Sequence, residues 1–290
     1  MQWQKTHGGN QRTVGYSIVQ TSDGGFAIAG LTDRNSPGNG DALLLKTDAN
    51  GTLQWQGSYG GTQDEYCYSV VQTSDGGYAL TGSTLSFGAS LYDVFFVKTD
   101  DDGNQLWQKM YGGTMSDWGH SLIQTNDGGY TIAGYTYSYG AGGSDMFLVK
   151  TDINGTVQWQ KTYGGTQGEA AYSVIQTHDG GYAIAGFTNS FGVGDYDVYL
   201  VKTDSAGTKI WEKVYGGEQN WGQSVVQASD GSYLVAGFDV EIGDVYLVKT
   251  DLYGEFGLTR TDTTVNAITL YRGIDDPYWN YVRIRIWRIS

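Results

Sequence analysis

The stretch W-Q-K-T-Y-G-G at 159–165 returns as W-Q-K-T-H-G-G at 3–9, W-Q-G-S-Y-G-G at 55–61, W-Q-K-M-Y-G-G at 107–113 and W-E-K-V-Y-G-G at 211–217. Trp3, Trp55, Trp107, Trp159 and Trp211 therefore stand 52 residues apart. A period of this length identifies a repeat architecture, in which each unit buries its faces on its neighbours rather than on a private core.

One unit reads as four apolar runs with turn residues between them: Tyr172–Thr177, Tyr182–Thr188, Asp197–Thr203 and Lys209–Tyr215, here strands a to d. H-D-G-G joins a to b and D-S-A-G joins c to d. In such turns glycine takes a positive φ and aspartate binds the turn backbone, which makes both joints hairpins. Four strands in about 50 residues is the size of one β-propeller blade. There are five a-b-c units and five tryptophan-bearing d strands, but the first d strand precedes any a strand. The expectation is an all-β, five-bladed propeller over residues 1–254, with residues 1–7 as the missing fourth strand of the last blade. That closure would remove the open sheet edges. Trp159 alternates with Gln158 and Gln160, so the indole faces one side of the blade, and the regular tryptophans are expected to pack between neighbouring blades.

The runs D-G-G-Y-A-I-A-G-F-T (179–188), D-V-Y-L-V-K-T-D-S-A-G (197–207) and W-E-K-V-Y-G-G (211–217) resemble the SBBP-type β-propeller repeat family. The resemblance covers residues 1–254. It implies an exported or cell-surface protein of a bacterium or archaeon, and supplies no catalytic residues. That family is associated with seven blades, whereas five are counted here.

With a net charge of −14, the surface repels phosphate backbones and anionic lipid, so nucleic acid is not an expected partner. No apolar run reaches the ~20 residues of a membrane helix. The first residues carry no basic-then-apolar leader, and the chain opens inside a repeat. Cys67 is the single cysteine, which excludes an internal disulfide.

The repeat pattern stops after residue 254. Residues 255–290 hold five arginines against four carboxylates, a net of +1, which leaves −15 on residues 1–254. A-I-T-L-Y-R-G and Y-V-R-I-R-I-W-R-I-S read as two strands of a hairpin-like tail, with Ile284 and Ile286 alternating with Arg283 and Arg285. The tail is expected to pack on the acidic propeller. Its alternative is to dock a second copy of the chain or another domain.

The a-b and c-d turns are nearly identical in every repeat, whereas the b-c and d-a loops vary. Varied loops on a rigid scaffold are where binding is expected. The candidates there are Arg12, Arg34, Asp64, Glu65, Tyr66, Trp118, His120, Tyr139, Glu169 and Trp221, of which Trp118 and Trp221 stand off the repeat pattern. Aromatic rings with a few carboxylates suit a sugar, so the expected partner is a glycan or a surface protein and the expected role is not enzymatic. A glycosidase-like alternative would use Asp64, Glu65, Asp117, Glu169 or Glu218 near the axis. Asp41, Asp93, Asp145, Asp197 and Asp244, which open strand c, are expected to bind the b-c loop backbone instead. No cofactor is required. Calcium at Asp100 and Asp102 is the one alternative, against a plain hairpin turn, because the distal ligand of a calcium loop is missing. Gln20, Gln72, Gln124, Gln176 and Gln227 recur on strand a and are expected to hydrogen-bond between blades.

Overall fold

The computed structural model describes residues 3–8, 12–33, 40–88, 91–217, 219–240 and 243–256, and the backbone of 269–272 and 282–285. Among them there is no helix. The first sheet is β1 (Thr13–Gln20), β2 (Phe26–Thr32), β3 (Asp41–Thr47) and β4 (Leu53–Tyr59). The second is β5 (Glu65–Gln72), β6 (Tyr78–Thr84), β7 (Asp93–Thr99) and β8 (Gln105–Tyr111). The third is β9 (Asp117–Gln124), β10 (Tyr130–Thr136), β11 (Asp145–Thr151) and β12 (Val157–Tyr163). The fourth is β13 (Glu169–Gln176), β14 (Tyr182–Thr188), β15 (Asp197–Thr203) and β16 (Lys209–Tyr215). The fifth has three strands, β17 (Asn220–Gln227), β18 (Tyr233–Asp239) and β19 (Val245–Lys249). The tail contributes the pair β20 (Thr269–Arg272) and β21 (Val282–Arg285). In every sheet, neighbouring strands are antiparallel and follow chain order.

Turn chemistry sets each sheet. Gly24, Gly76, Gly128, Gly180 and Gly231 turn a into b at φ between 80° and 90°, in the left-handed region. Behind each, a second residue must be small. A Cβ on Gly129 would lie 2.2 Å from the Thr151 carbonyl oxygen and 2.6 Å from Lys150 Nζ. That space admits a buried lysine, whose Nζ donates to Asp127 Oδ1 at 3.0 Å and to the Thr151 carbonyl at 2.9 Å. Lys46, Lys98 and Lys202 repeat the arrangement with Asp23, Asp75 and Asp179. In the fifth sheet Ser232 stands where the others have glycine; Lys249 is displaced to 3.8 Å from Asp230 and its side chain lies in solvent.

Neighbouring sheets are joined by one contact set used four times. Trp55, Trp159 and Trp211 meet Tyr78, Tyr182 and Tyr233 of the next sheet edge-on at 5.6–5.8 Å, and Trp107 meets Tyr130 at 6.3 Å. The hydroxyls of Tyr59, Tyr111, Tyr163 and Tyr215 donate to the c-d turn carbonyls of Gly103, Gly155, Gly207 and Gly254 at 2.7 Å. Gln72, Gln124, Gln176 and Gln227 accept from the backbone N–H of Ser22, Ser74, Asn126 and His178 in the preceding sheet. Four of the five recurring glutamines thus hydrogen-bond between sheets, and four of the tryptophans pack on the next sheet. Between the sheets lie apolar clusters, for example Ala133, Met146, Leu148 and Tyr163 against Ala171, Val174, Tyr182 and Ile184.

The ends differ from the expectation. Among the described residues, 3–8 form no strand, and no fourth strand completes the fifth sheet. Residues 3–8 lie instead on the first sheet: Trp3 meets Phe26 at 6.1 Å, and His7 Nε2 lies 3.0 Å from the Gly51 carbonyl. This is the seat that Trp55 and Tyr59 take on the second sheet. Ile18 is 42% exposed, where its repeat counterparts Val70, Leu122, Val174 and Val225 are 2–4% exposed under a preceding sheet. At the other end Leu247 is 44% exposed, where Leu44, Phe96, Leu148 and Leu200 are fully buried. Five sheets stack in sequence, and among the described residues Ile18 of the first sheet and Leu247 of the fifth keep exposed apolar surface.

Candidate functional site

Each inner strand carries a β-bulge at the same register position. The pairing skips Tyr16 in β1, Tyr68 in β5, His120 in β9, Tyr172 in β13 and Gln223 in β17. A bulge leaves one residue unpaired and re-aims its side chain. A glycine makes room for it: the Cβ of an alanine at Gly134 would lie 1.7 Å from the Trp118 carbonyl oxygen. Gly30, Gly82, Gly186 and Gly237 stand in the same relation to Val14, Tyr66, Ala170 and Trp221.

The re-aimed rings meet across sheets. Tyr16 lies 5.5 Å from Tyr68, Tyr68 lies 4.8 Å from His120, His120 lies 5.1 Å from Tyr172, and Tyr172 stacks on Trp221 at 6.0 Å. One register step toward the d-a loops a second tier joins it. Tyr66 stacks on Tyr68 at 6.0 Å, Trp118 on Tyr135 at 4.7 Å, and Trp221 on Phe187 at 4.7 Å. Tyr92 and Tyr196, at the ends of b-c loops, close on Trp118 and Trp221 at 5.3 and 5.4 Å. All these rings are half-buried. The result is one aromatic belt along the inner strands of all five sheets, at the end that carries the varied loops.

Two ring nitrogens in the belt, His120 Nε2 and Trp221 Nε1, have no hydrogen-bond partner. Burial lowers the His120 pKa to about 4, so the imidazole is neutral at neutral pH. The folded-state pKa lies below the unfolded value of about 6.5, so the unfolded chain binds the proton more tightly. Stability is therefore complete above pH 6.5 and is lost as the pH falls toward 4, by roughly 3 kcal/mol at about 1.4 kcal/mol per pH unit. His120→Tyr, which installs the residue found at 16, 68 and 172, is expected to remove that loss. Thermal melts from pH 7 to 4 check it, and parallel pH dependence in both proteins would refute it.

Three of the candidate acids, Glu65, Asp117 and Glu169, fasten loops. Glu169 is fully buried. Its Oε2 accepts from Gly165 N at 2.8 Å, and its Oε1 accepts from the Thr188 hydroxyl at 2.6 Å and Ser190 N at 3.1 Å. Glu65 does the same with Gly61, Thr84 and Ser86, and Asp117 accepts from Gly113 N and the Ser138 hydroxyl. These three carboxylates therefore tie a d-a loop to a b-c loop, and Asp117 keeps Oδ1 unpartnered. The strand-c aspartates serve the b-c loops as expected: Asp145 accepts from Ala141 N and Asp197 from Val193 N. A Cβ on Gly164 would nevertheless touch both Asp145 and Glu169, and Gly60 and Gly112 stand likewise between Asp41 and Glu65 and between Asp93 and Asp117. Burial, with Glu169 adding to it, raises the Asp145 pKa.

Of the remaining candidates, Tyr66, Trp118, His120 and Trp221 lie in the belt. Tyr139 is set apart, its hydroxyl donating to the Gly112 carbonyl at 2.6 Å. Asp64 is half-buried beside the belt, with Oδ1 unpartnered. Arg12 is exposed, and Arg34 and Glu218 lie outside the described residues. Asp100 closes its own hairpin turn by accepting from Asn104 N at 2.7 Å and Asn104 Nδ2 at 2.9 Å, and Asp102 is exposed. Among the described residues no three His, Cys, Asp or Glu side chains converge as a metal site. The sequence analysis missed Tyr135, Phe187 and Tyr196. The signal for the first two was their place directly across strand b from Trp118 and Ala170.

No protein-family model matches the chain. Over 197 residues it is 27% identical to the regulatory protein FlaEY of Caulobacter vibrioides, an alignment covering 62% of this chain and 19% of that protein. The chain thus spans about a fifth of that relative's length. Among solved structures it is similar to the Pan2 WD40 domain of Neurospora crassa, at TM-score 0.53 and 11% identity over 82% of this chain and 62% of that one. It is also similar to a puromycin hydrolase, at TM-score 0.50 and 12% identity over 87% of this chain and 40% of that one. At these identities the likeness concerns the fold, and the fold it supports is a β-propeller of repeated four-stranded sheets.

Proposed function

We propose that this chain is a non-enzymatic binding propeller of the cell surface that holds a glycan at the aromatic belt. The observation that carries the reading is the continuity of the belt, in which half-buried rings from all five inner strands stand in mutual contact. Sugar rings present C–H faces and hydroxyls together, and match a surface of half-buried aromatic rings. The net charge of −14 favours a neutral or cationic glycan over an anionic one. The cell-surface placement rests on the resemblance to exported propeller repeats. No helix among the described residues is long and apolar enough to cross a membrane.

A glycan array on the full chain identifies ligands, and calorimetric titration of the best oligosaccharide measures affinity. Trp118→Ala and Trp221→Ala are each expected to weaken binding about tenfold or more, the value of one stacking contact. An array with no glycan bound, or variants that titrate like the parent chain, would overturn the reading.

A further inference from the structure

The open face of the fifth sheet is an interface without its partner. Val245 and Leu247 are 38% and 44% exposed, while Val94, Phe96, Met146, Leu148, Val198 and Leu200 at the same register are fully buried by a following sheet. An apolar strand left this way is an aggregation hazard, and repeat proteins guard against it with an atypical terminal unit. The opposite end already has such a cover in residues 3–8, seated on Phe26 and Gly51.

We propose that residues 257–290 fold back as a two-stranded cap over this face, in the place that a sixth sheet would take. Four observations choose this occupant. Strand β21 lies against β18, the strand next to β19. Strands β20 and β21 pair in antiparallel register, with Leu270 opposite Ile284, so the tail is itself a hairpin suited to lie on a sheet. Along β21, Val282 and Ile284 alternate with Arg283 and Arg285, the pattern of a strand with one apolar and one charged side. The tail's five arginines oppose the −15 of the repeats, which also draws it to the propeller. A second whole copy fits less well, because its own five sheets would have to follow the same stacking.

The test is thiol labelling of the full chain carrying Leu247→Cys, compared with Val193→Cys at a loop position that is 72% exposed. Cys67, buried at 1% exposure, reports intactness by staying unlabelled. Labelling at 247 is expected to be about tenfold or more slower than at 193, since it must await opening of the cap. Adding Ile284→Asp, or ending the chain at Phe256, is expected to bring the two rates together. Equal rates in the full chain overturn the cap. So does slow labelling that survives both tail changes. Slow labelling in a particle whose mass by light scattering is that of a dimer would overturn it too, and assign the face to a second copy.

Discussion

Gly134→Ala is expected to destabilise the protein by roughly 3 kcal/mol or more, lower its melting temperature by about 10 °C and abolish ligand binding. The new Cβ would sit 1.7 Å from the Trp118 carbonyl oxygen, 2.7 Å from its carbon and 3.0 Å from Gly119 Cα. All three are backbone atoms, so no rotamer change relieves them. Strand β9 has to draw away from β10 at the bulge that aims His120, and Trp118 moves with it. Gly76→Ala is the matched control. Nothing lies within 4 Å of its Cβ, but its φ of +90° is unfavourable for alanine, so the cost is conformational, about 1 kcal/mol, and binding is retained. Melting curves and titrations of the two variants separate overlap from strain. A Gly134→Ala protein that melts within 2 °C of the parent, on the scale of ~2–4 °C per kcal/mol, would refute the account of the bulge.

Glu169→Ala is expected to cost roughly 3 kcal/mol through a different route. The substitution leaves the backbone N–H of Gly165 and Ser190 and the hydroxyl of Thr188 without their acceptor. Relief at Asp145, whose pKa is raised by burial and then by Glu169, offsets only part of this. Glu169→Gln keeps one accepting oxygen and turns the other into a donor facing a donor, so an intermediate loss is expected. Hydrogen exchange should quicken in the 164–168 and 188–192 loops and remain slow in the Lys202–Asp179 turn at the far end. If the exchange is unchanged at both loops, Glu169 is not their fastener.

Much of this fold is written locally. Strands b, c and d of the fourth repeat begin and end where alternation and turn residues place them, at Tyr182–Thr188, Asp197–Thr203 and Lys209–Tyr215. Strand a begins at Glu169, three residues before the expected Tyr172, because its first residue is a polar fastener and its fourth is skipped by the bulge. A bulge breaks the period of two, so alternation could not reveal it. The acids read as candidates near the axis because a buried carboxylate with backbone and hydroxyl donors is spelled no differently from an exposed one. Of the site, Trp118 and Trp221 were visible as departures from the repeat, whereas their stacking on Tyr135 and Phe187 depends on cross-strand register. Closure was the least legible feature. It depends on the rotation between successive sheets, which the number of repeats does not fix.

The contacts between sheets have a further consequence for how such a chain can change its length. Every junction uses the same three contacts: a tryptophan on a tyrosine ring of the next sheet, a tyrosine hydroxyl donating to a carbonyl of the next sheet, and a glutamine accepting from a backbone N–H of the preceding one. Two of the partners are backbone groups, present whatever the side chain, and the third is a tyrosine ring that recurs at 78, 130, 182 and 233, so any of these units can follow any other. Excision of the segment from Gly60 to Tyr111 would bring Tyr59 to Gly112 and leave a junction of the same kind. Recombination between the near-identical W-Q-x-x-Y-G-G stretches would therefore add or remove whole sheets without inventing a contact. The gene can lengthen or shorten in steps of one repeat, while substitutions in the varied loops proceed independently of that count.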